Sequence, residues 1–135
     1  MPAWSAKPLR EVPLVAEEES GDPDWYPLQY HLGLTAFGAN AYAASAAGDQ
    51  LLERHTETDS KQEELYVVVV GSALFVLDGE EVRAEAPFVV AVGDPSVARE
   101  ERALEAGTLL IALGERRELF ESSWPRHYFE GVPRA

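Results

Sequence analysis

The chain has 135 residues, 24 of them acidic and 11 basic, and a formal net charge of −13. A hydrophobic share of 46% is typical of a single globular domain, and no apolar run is long enough to span a bilayer. The negative field repels phosphate groups, so we expect neither a nucleic acid nor a membrane as a partner. The absence of cysteine excludes disulfides and thiolate metal sites, and the start of the chain lacks the features of a signal peptide, so we expect a cytoplasmic protein.

Residues 1–27 are interpreted as an N-terminal extension that is rich in proline and acidic residues. Within it, residues 9–15 predict one edge strand interrupted by Pro13, and residues 17–27 are typical of a loop. From residue 28 to residue 35, apolar and other side chains alternate, which predicts a half-buried strand. The acidic clusters at 17–19, 63–64 and 100–101 indicate solvated faces, with Glu64 as the exception.

Short apolar or alternating segments follow one another from residue 37 to residue 113, separated by turn signals such as Asp78-Gly79. This pattern predicts an all-β sandwich or barrel, which we place at residues 28–114. Residues 115–135 are interpreted as a C-terminal tail that packs on this domain, with a helical turn near residues 117–122. The predicted strands are 37–46, 51–57, 65–70, 73–77, 81–84, 87–92, 98–104 and 108–113.

Polar side chains are concentrated around the strand that begins near residue 64. Glu64 opens a run of continuous apolar residues that Gly71 closes. His55 and Glu57 lie just upstream at positions i and i+2, so they point the same way if that segment is extended. An imidazole and two carboxylates near the end of an all-β domain indicate a site for a metal or a small molecule.

This arrangement resembles the first motif of the cupin superfamily: Gly, five residues, His-x-His, three or four residues, Glu, six residues, Gly. Glu64 and Gly71 have the required six residues between them, and His55-x-Glu57 stands in place of His-x-His. In an alternative register, Glu57-x-Asp59 fills the paired positions, but we prefer the register that keeps the imidazole. The resemblance spans roughly residues 30–113 and implies a jelly-roll β-barrel of antiparallel strands.

The second cupin motif, Pro-x-Gly-x-x-His, is matched only in part, near Pro95. Its histidine position falls on Ala98, with Arg99 beside it, and no histidine lies between His55 and His127. The fourth ligand of a typical cupin metal is therefore missing. What the resemblance implies is a small single-domain cupin of unassigned function with a degenerate metal motif.

Two interpretations of the site remain open. His55, Glu57 and Glu64 form a ligand set that suits a divalent metal such as Mn, Fe or Zn. Alternatively, His55 and Glu57 are ordinary polar residues that pair with each other or with Arg54 or Arg99. A carboxylate at the start of a buried strand needs a ligand or a partner, and Arg99 is the candidate partner of Glu64.

Arg99 and Tyr66 are the predicted residues of a ligand pocket. A guanidinium near Glu64 can hold an anionic ligand or replace the positive charge of the metal, and we favour the second role. Tyr66 lies on the same face of its strand as Glu64 and is expected to line the pocket.

Two classes of function follow. One is a metal-dependent enzyme, such as an oxygenase, isomerase or lyase, with His55 or Glu57 as general acid or base. The other is a metal-free module that binds a small molecule without transforming it, or has a structural role. The resemblance also implies a homodimer, formed through sheet edges or through exchange of the strand predicted at residues 9–15.

Overall fold

The computed structural model describes residues 2–16 and 21–135, and antiparallel β-strands dominate this part of the chain. Its helical elements are one short α-helix, α1 (Leu28–Leu32), and two 3-10 turns, Leu9–Glu11 and Arg126–Phe129. None of these is long and apolar enough to cross a membrane. The strands are β1 (Asp24–Tyr26), β2 (Gly38–Ala43), β3 (Gln50–His55), β4 (Gln62–Val70), β5 (Ser72–Leu77), β6 (Glu80–Glu85), β7 (Phe88–Val92), β8 (Arg99–Ala103) and β9 (Leu109–Arg116).

The strands form two antiparallel sheets, which confirms the prediction of a nearly all-β domain. The five-stranded sheet has the order β1-β2-β9-β4-β7, and the four-stranded sheet has the order β3-β8-β5-β6. Within the described residues, the strand ladders stay inside the two sheets, so closure into a single barrel stays a prediction. The core lies between the sheets, where Tyr66 and Phe75 are fully buried with their ring centroids 6.0 Å apart.

Strand periodicity decides which side chains face this core. In β4, Tyr66 and Val68 are 0% exposed, whereas Leu65 and Val69 lie on the outer face and are 37% and 38% exposed. The continuous apolar run predicted to form a strand therefore has two apolar faces, of which only one is buried. In β8 the inward residues are Arg99, Glu101 and Ala103.

The strand predicted from residue 28 is wrong, because residues 28–32 form helix α1. Pro27 precedes the helix, and Gly33, with a φ of 71°, ends it in the left-handed region that glycine adopts without cost. Between these two residues the chain completes little more than one helical turn. Over so short a segment, alternation of apolar residues does not distinguish a strand from a helix.

The strand predicted at residues 9–15 is also wrong. This segment contains a 3-10 turn, Leu9–Glu11, and contacts the sheet through one backbone hydrogen bond, from Val15 N to Trp25 O at 3.0 Å. Pro13 removes a donor that a ladder would need. One edge of the five-stranded sheet is β1, which lies within the predicted N-terminal extension.

The C-terminal tail differs from its prediction too. The helical turn expected near residues 117–122 is wrong, and the 3-10 turn lies at Arg126–Phe129 instead. Residues 117–135 are all exposed, so in the single chain the tail does not bury a face against the sheets. Of the loop predicted at residues 17–27, residues 17–20 lie outside the described residues, and so does the acidic cluster at 17–19.

Candidate metal and ligand site

His55, Glu57 and Glu64 meet at one end of the two sheets. His55 is the last residue of β3, Glu57 follows it, and Glu64 lies near the start of β4 in the other sheet. The His55 Nε2 atom lies 3.1 Å from Glu57 Oε1 and 3.7 Å from Glu64 Oε1. One ligand atom from each residue lies within 4.8 Å of the other two. The three side chains therefore converge as predicted, while their role as metal ligands stays a prediction.

The fold provides space for this convergence. On the inner face of the five-stranded sheet, Glu64 pairs with Gly114 of the adjacent strand β9. A Cβ atom on Gly114 would lie 3.3 Å from Glu64 Cγ, tighter than most van der Waals contacts. In the other sheet, His55 pairs with Arg99 of β8, which brings the guanidinium to the same end.

The imidazole of His55 is oriented by the backbone. Its Nδ1 atom lies 2.7 Å from Glu53 O, so Nδ1 donates a proton to this carbonyl and Nε2 faces the carboxylates. Hydrogen bonding to Glu64 raises the pKa of His55 above its usual value, and partial burial opposes this effect without cancelling it. Glu57, the nearer carboxylate, also accepts a hydrogen bond from the hydroxyl of Ser60.

Glu64 Oε1 accepts two short hydrogen bonds. Tyr66 Oη and Arg99 Nη1 each donate to it at 2.7 Å. Burial alone would favour the neutral carboxyl, but the hydrogen bonds from His55, Tyr66 and Arg99 outweigh burial and hold the pKa of Glu64 below its usual value. Glu64 is therefore a carboxylate that is paired with Arg99. This pairing is the one expected if Arg99 compensates the charge of Glu64.

The guanidinium of Arg99 is fully buried, and each of its nitrogen atoms has a protein partner. Nη1 donates to Glu64, while Nε and Nη2 donate to Val97 O at 3.1 and 3.0 Å. Nη2 also lies 3.3 Å from Asp94 O and 3.4 Å from Pro95 O. An anionic ligand would have to replace these contacts, so the geometry favours charge compensation as the role of Arg99.

Sequence reasoning missed two further groups in this interior. Tyr42 lies on β2, and burial together with the negative charges of Glu64 and Glu57 raises its pKa to about 12. Glu101 is only 1% exposed, and within the described residues neither of its carboxylate oxygens has a hydrogen-bond partner. Burial raises the pKa of Glu101 to about 8, so the expectation of a solvated face at 100–101 is wrong at this position.

A strand-period signal for Glu101 was present in the sequence. Arg99, Glu101 and Ala103 occupy alternating positions, so a buried Arg99 places Glu101 on the same inner face. The adjacent pair Glu100-Glu101 is typical of solvent-exposed sequence, and that composition concealed the alternation. Nothing in the sequence marked Tyr42 as different from the other aromatic residues.

The donor set suits a divalent cation. One imidazole nitrogen and two carboxylates are ligands for ions of hard to borderline character. Glu57 and Glu64 carry two negative charges, and Arg99 compensates one of them, so a negative charge remains to attract a cation. The hydrogen bond from Nδ1 of His55 to a carbonyl is the outer-shell contact that metal-binding histidines commonly make.

Comparison with known proteins gives structural neighbours only. No family model matches the chain, and no curated protein sequence matches it. A cupin protein from Bacteroides fragilis superposes with a TM-score of 0.65 at 18% identity, covering 100% of both chains. This chain has a cupin fold. An RmlC-like cupin from Shewanella frigidimarina (TM-score 0.63, 18% identity, 87% of this chain and 95% of that chain) shares the fold. KdgF from Halomonas sp. (TM-score 0.60, 18% identity, 78% and 89%) also shares it.

Proposed function

We propose that this cupin binds one divalent metal ion through His55, Glu57 and Glu64. The observation that carries the proposal is that one ligand atom from each of these three residues lies within 4.8 Å of the other two. The ion belongs to the group Mn, Fe and Zn, and we further propose that the two sheets close into a jelly-roll barrel around the site. A polar small molecule is the proposed ligand, and the cytoplasm the proposed location.

Each neighbouring residue has a defined part in this proposal. Tyr66 and Arg99 fix Oε1 of Glu64, which leaves the second oxygen of this carboxylate for the ion. Glu53 O fixes the ring of His55, so that Nε2 faces the ion. A bound divalent ion would act as a Lewis acid toward a ligand oxygen. Without bound metal, a proton on His55 would balance the remaining negative charge.

A metal-free binding module is the second candidate function. The 2.7 Å ion pair between Arg99 Nη1 and Glu64 Oε1 favours it, because the buried guanidinium already supplies a fixed positive charge. In this case His55 and Glu57 pair with each other, and the interior accepts a polar ligand by hydrogen bonds alone.

Metal analysis separates the two candidates. Protein purified without chelator is expected to contain a stoichiometric divalent metal, or to bind one equivalent of Mn²⁺ or Zn²⁺ in calorimetric titration. His55→Ala removes the imidazole ligand and Glu57→Gln removes the negative charge of a carboxylate ligand, so each should weaken binding at least tenfold, about 1.4 kcal/mol. Glu64 is a less suitable target, because its loss would leave Arg99 buried without a charge partner.

His127→Ala is the matched control, since this histidine is exposed and lies outside the cluster. It should bind metal as the unmodified chain does. Substoichiometric metal combined with no heat of binding for either ion would contradict the metal proposal and support the metal-free module.

A further inference from the structure

A second concave site lies beside β1 and α1, and none of the three candidate metal ligands lines it. The groove has a volume of about 490 Å³, which is within the range of small-molecule sites. Proline and aliphatic residues of the segment 13–15 form one wall. The side chains used in the following argument are Trp25, Gln29, Tyr30, His31 and Asn40.

Two aromatic side chains give the groove flat surfaces. Trp25 is held in place because its Nε1 donates to Asn40 Oδ1 at 2.9 Å and its ring packs against Tyr42 at 6.1 Å. Even so, Trp25 remains 40% exposed, and Tyr30 is 83% exposed. A fixed, partly exposed indole offers a stacking surface for a planar ring without a large loss of side-chain entropy.

Two carboxamide groups in the groove have a defined orientation. Asn40 Oδ1 accepts from Trp25, and Gln29 Oε1 accepts from Ala39 N at 2.8 Å. Since both oxygens are used by the protein, the two NH₂ groups are the free ends, and neither has a partner in the described part of the chain. Free NH₂ groups donate, so a matching ligand must carry acceptor oxygens.

The charge beside the groove agrees with this requirement. Lys7 Nζ lies 2.8 Å from Nε2 of His31, which lines the groove. The contact places a positive charge at one end of the site, within a chain whose net charge is −13. Oxygen atoms with negative partial charge are therefore favoured at this place over amines.

We propose that this groove binds a planar ring compound bearing carbonyl oxygens. The ring stacks on Trp25 and Tyr30, and the oxygens accept hydrogen bonds from the amides of Asn40 and Gln29. Binding here is independent of the metal, because His55, Glu57 and Glu64 do not line the groove.

Uracil is a suitable probe, since it is a planar ring with two carbonyl oxygens. In a Trp4→Phe/Trp124→Phe background, Trp25 is the remaining tryptophan, so its fluorescence reports on the groove alone. We expect saturable quenching in the millimolar range. Dihydrouracil has the same carbonyl groups on a puckered ring and should bind at least tenfold more weakly. Absence of saturable quenching by uracil would overturn the proposal, as would equal binding of the two compounds.

The matched substitutions are Asn40→Asp and Gln29→Glu. Each retains the oxygen that accepts from Trp25 or Ala39 and replaces only the NH₂ donor, so the fold should be kept, as circular dichroism would show. Each should weaken uracil binding at least tenfold, and unchanged binding in both would overturn the proposal. His55→Ala should bind uracil normally, so failure of the metal site and failure of the groove are distinguishable.

Discussion

Glu101 places a carboxyl group among apolar neighbours. In the four-stranded sheet it pairs with Leu52 on one side and Phe75 on the other, and neither can accept or donate a hydrogen bond. A buried carboxyl without a partner is stable only when it is neutral, which is why burial raises its pKa to about 8. The side chain therefore keeps its proton in the folded protein at neutral pH.

Replacing Glu101 should change how stability depends on pH. The folded protein holds the proton up to about pH 8, whereas the unfolded chain releases it near the ordinary value of 4.5. The free energy of unfolding should therefore fall by a few kcal/mol as pH rises between these values, and level off above them. Glu101→Gln and Glu101→Leu should remove this part of the decline, and Glu101→Leu should be more stable than the unmodified chain at pH 8.

Urea unfolding from pH 5 to pH 9 measures this effect. The raised pKa of His55 adds a decline of the same sign, so the test is the difference between the unmodified chain and each variant. Glu100→Gln, which alters the neighbouring residue on the other face of β8, is the control and should keep the decline. A Glu101→Gln curve parallel to that of the unmodified chain would contradict the assignment.

The candidate site was predictable where it followed a spacing. His55 and Glu64 could be found from strand patterning and from a family motif, and Glu57 from its place at the second paired position of that motif. The sequence left open whether Glu64 binds a metal ion or pairs with Arg99. It places Arg99 near Glu64 but does not fix the rotamer of the arginine. Glu101 and Tyr42 depend on which face of a strand meets the other sheet, which is a property of tertiary packing.

At the scale of elements, the turn between β4 and β5 depends on Gly71. Its φ of 82° lies in the left-handed region, and a Cβ atom there would come within 2.9 Å of Thr108 Cα. Thr108 is fully buried, and its hydroxyl lies 3.0 Å from Ser72 O and 2.9 Å from Glu105 O and accepts from Ser72 N, so it has little freedom to move. Both backbone conformation and close packing therefore require glycine.

Gly71→Ala should lower the free energy of unfolding by roughly 2–4 kcal/mol, because conformational strain and steric overlap add together. Gly79→Ala is the matched control. Gly79 has a nearly equal φ of 85°, but a Cβ atom there would meet nothing within 4 Å. Chemical unfolding of the two variants should show the larger loss for Gly71→Ala, and equal losses would contradict a role for Thr108.

The strands were predictable wherever apolar patterning and turn residues agreed, as in the hairpin of β5 and β6 around Asp78-Gly79. The structure of the two ends of the domain was not predictable, because short segments carry little periodic information. Helix α1 is set by Pro27 and Gly33 rather than by its apolar pattern. The strand β1 has only three residues, too few for alternation to be recognised.

At the scale of the whole molecule, the outer face of the five-stranded sheet is apolar, and it is partly exposed along β4 and β7. Leu65 and Val69 on β4 and Val89 on β7 are 37%, 38% and 65% exposed. Val67, which lies between Leu65 and Val69 on β4, pairs with Val89 of β7. The exposed side chains of the two strands are therefore neighbours on one surface. Since residues 9–15 form no strand for exchange, this face is a better candidate for the predicted homodimer interface.

We expect the unmodified chain to sediment as a dimer and Val89→Lys to shift it to a monomer, because the ammonium group would be buried in an apolar interface. Val132→Lys is the same substitution at an equally exposed valine (64%) in the tail, and it should remain dimeric. Sedimentation velocity over a range of concentrations measures both. A monomeric unmodified chain at high concentration would contradict the dimer, and dissociation by Val132→Lys would shift the interface to the tail.

The carbonyl contacts of Arg99 connect the turn at residues 94–97 to the carboxylate of Glu64. A lysine at position 99 could not serve both, since one ammonium cannot span the positions that a planar guanidinium reaches. The turn also has contacts of its own, because Ser96 and Val97 donate to Asp94, and Glu57 N donates to Pro95 O at 2.8 Å. Arg99 adds a link from this exposed turn to the interior, so a movement of Glu64 away from Arg99 should alter the contact of the guanidinium with Val97 O and be detectable in the backbone near this residue.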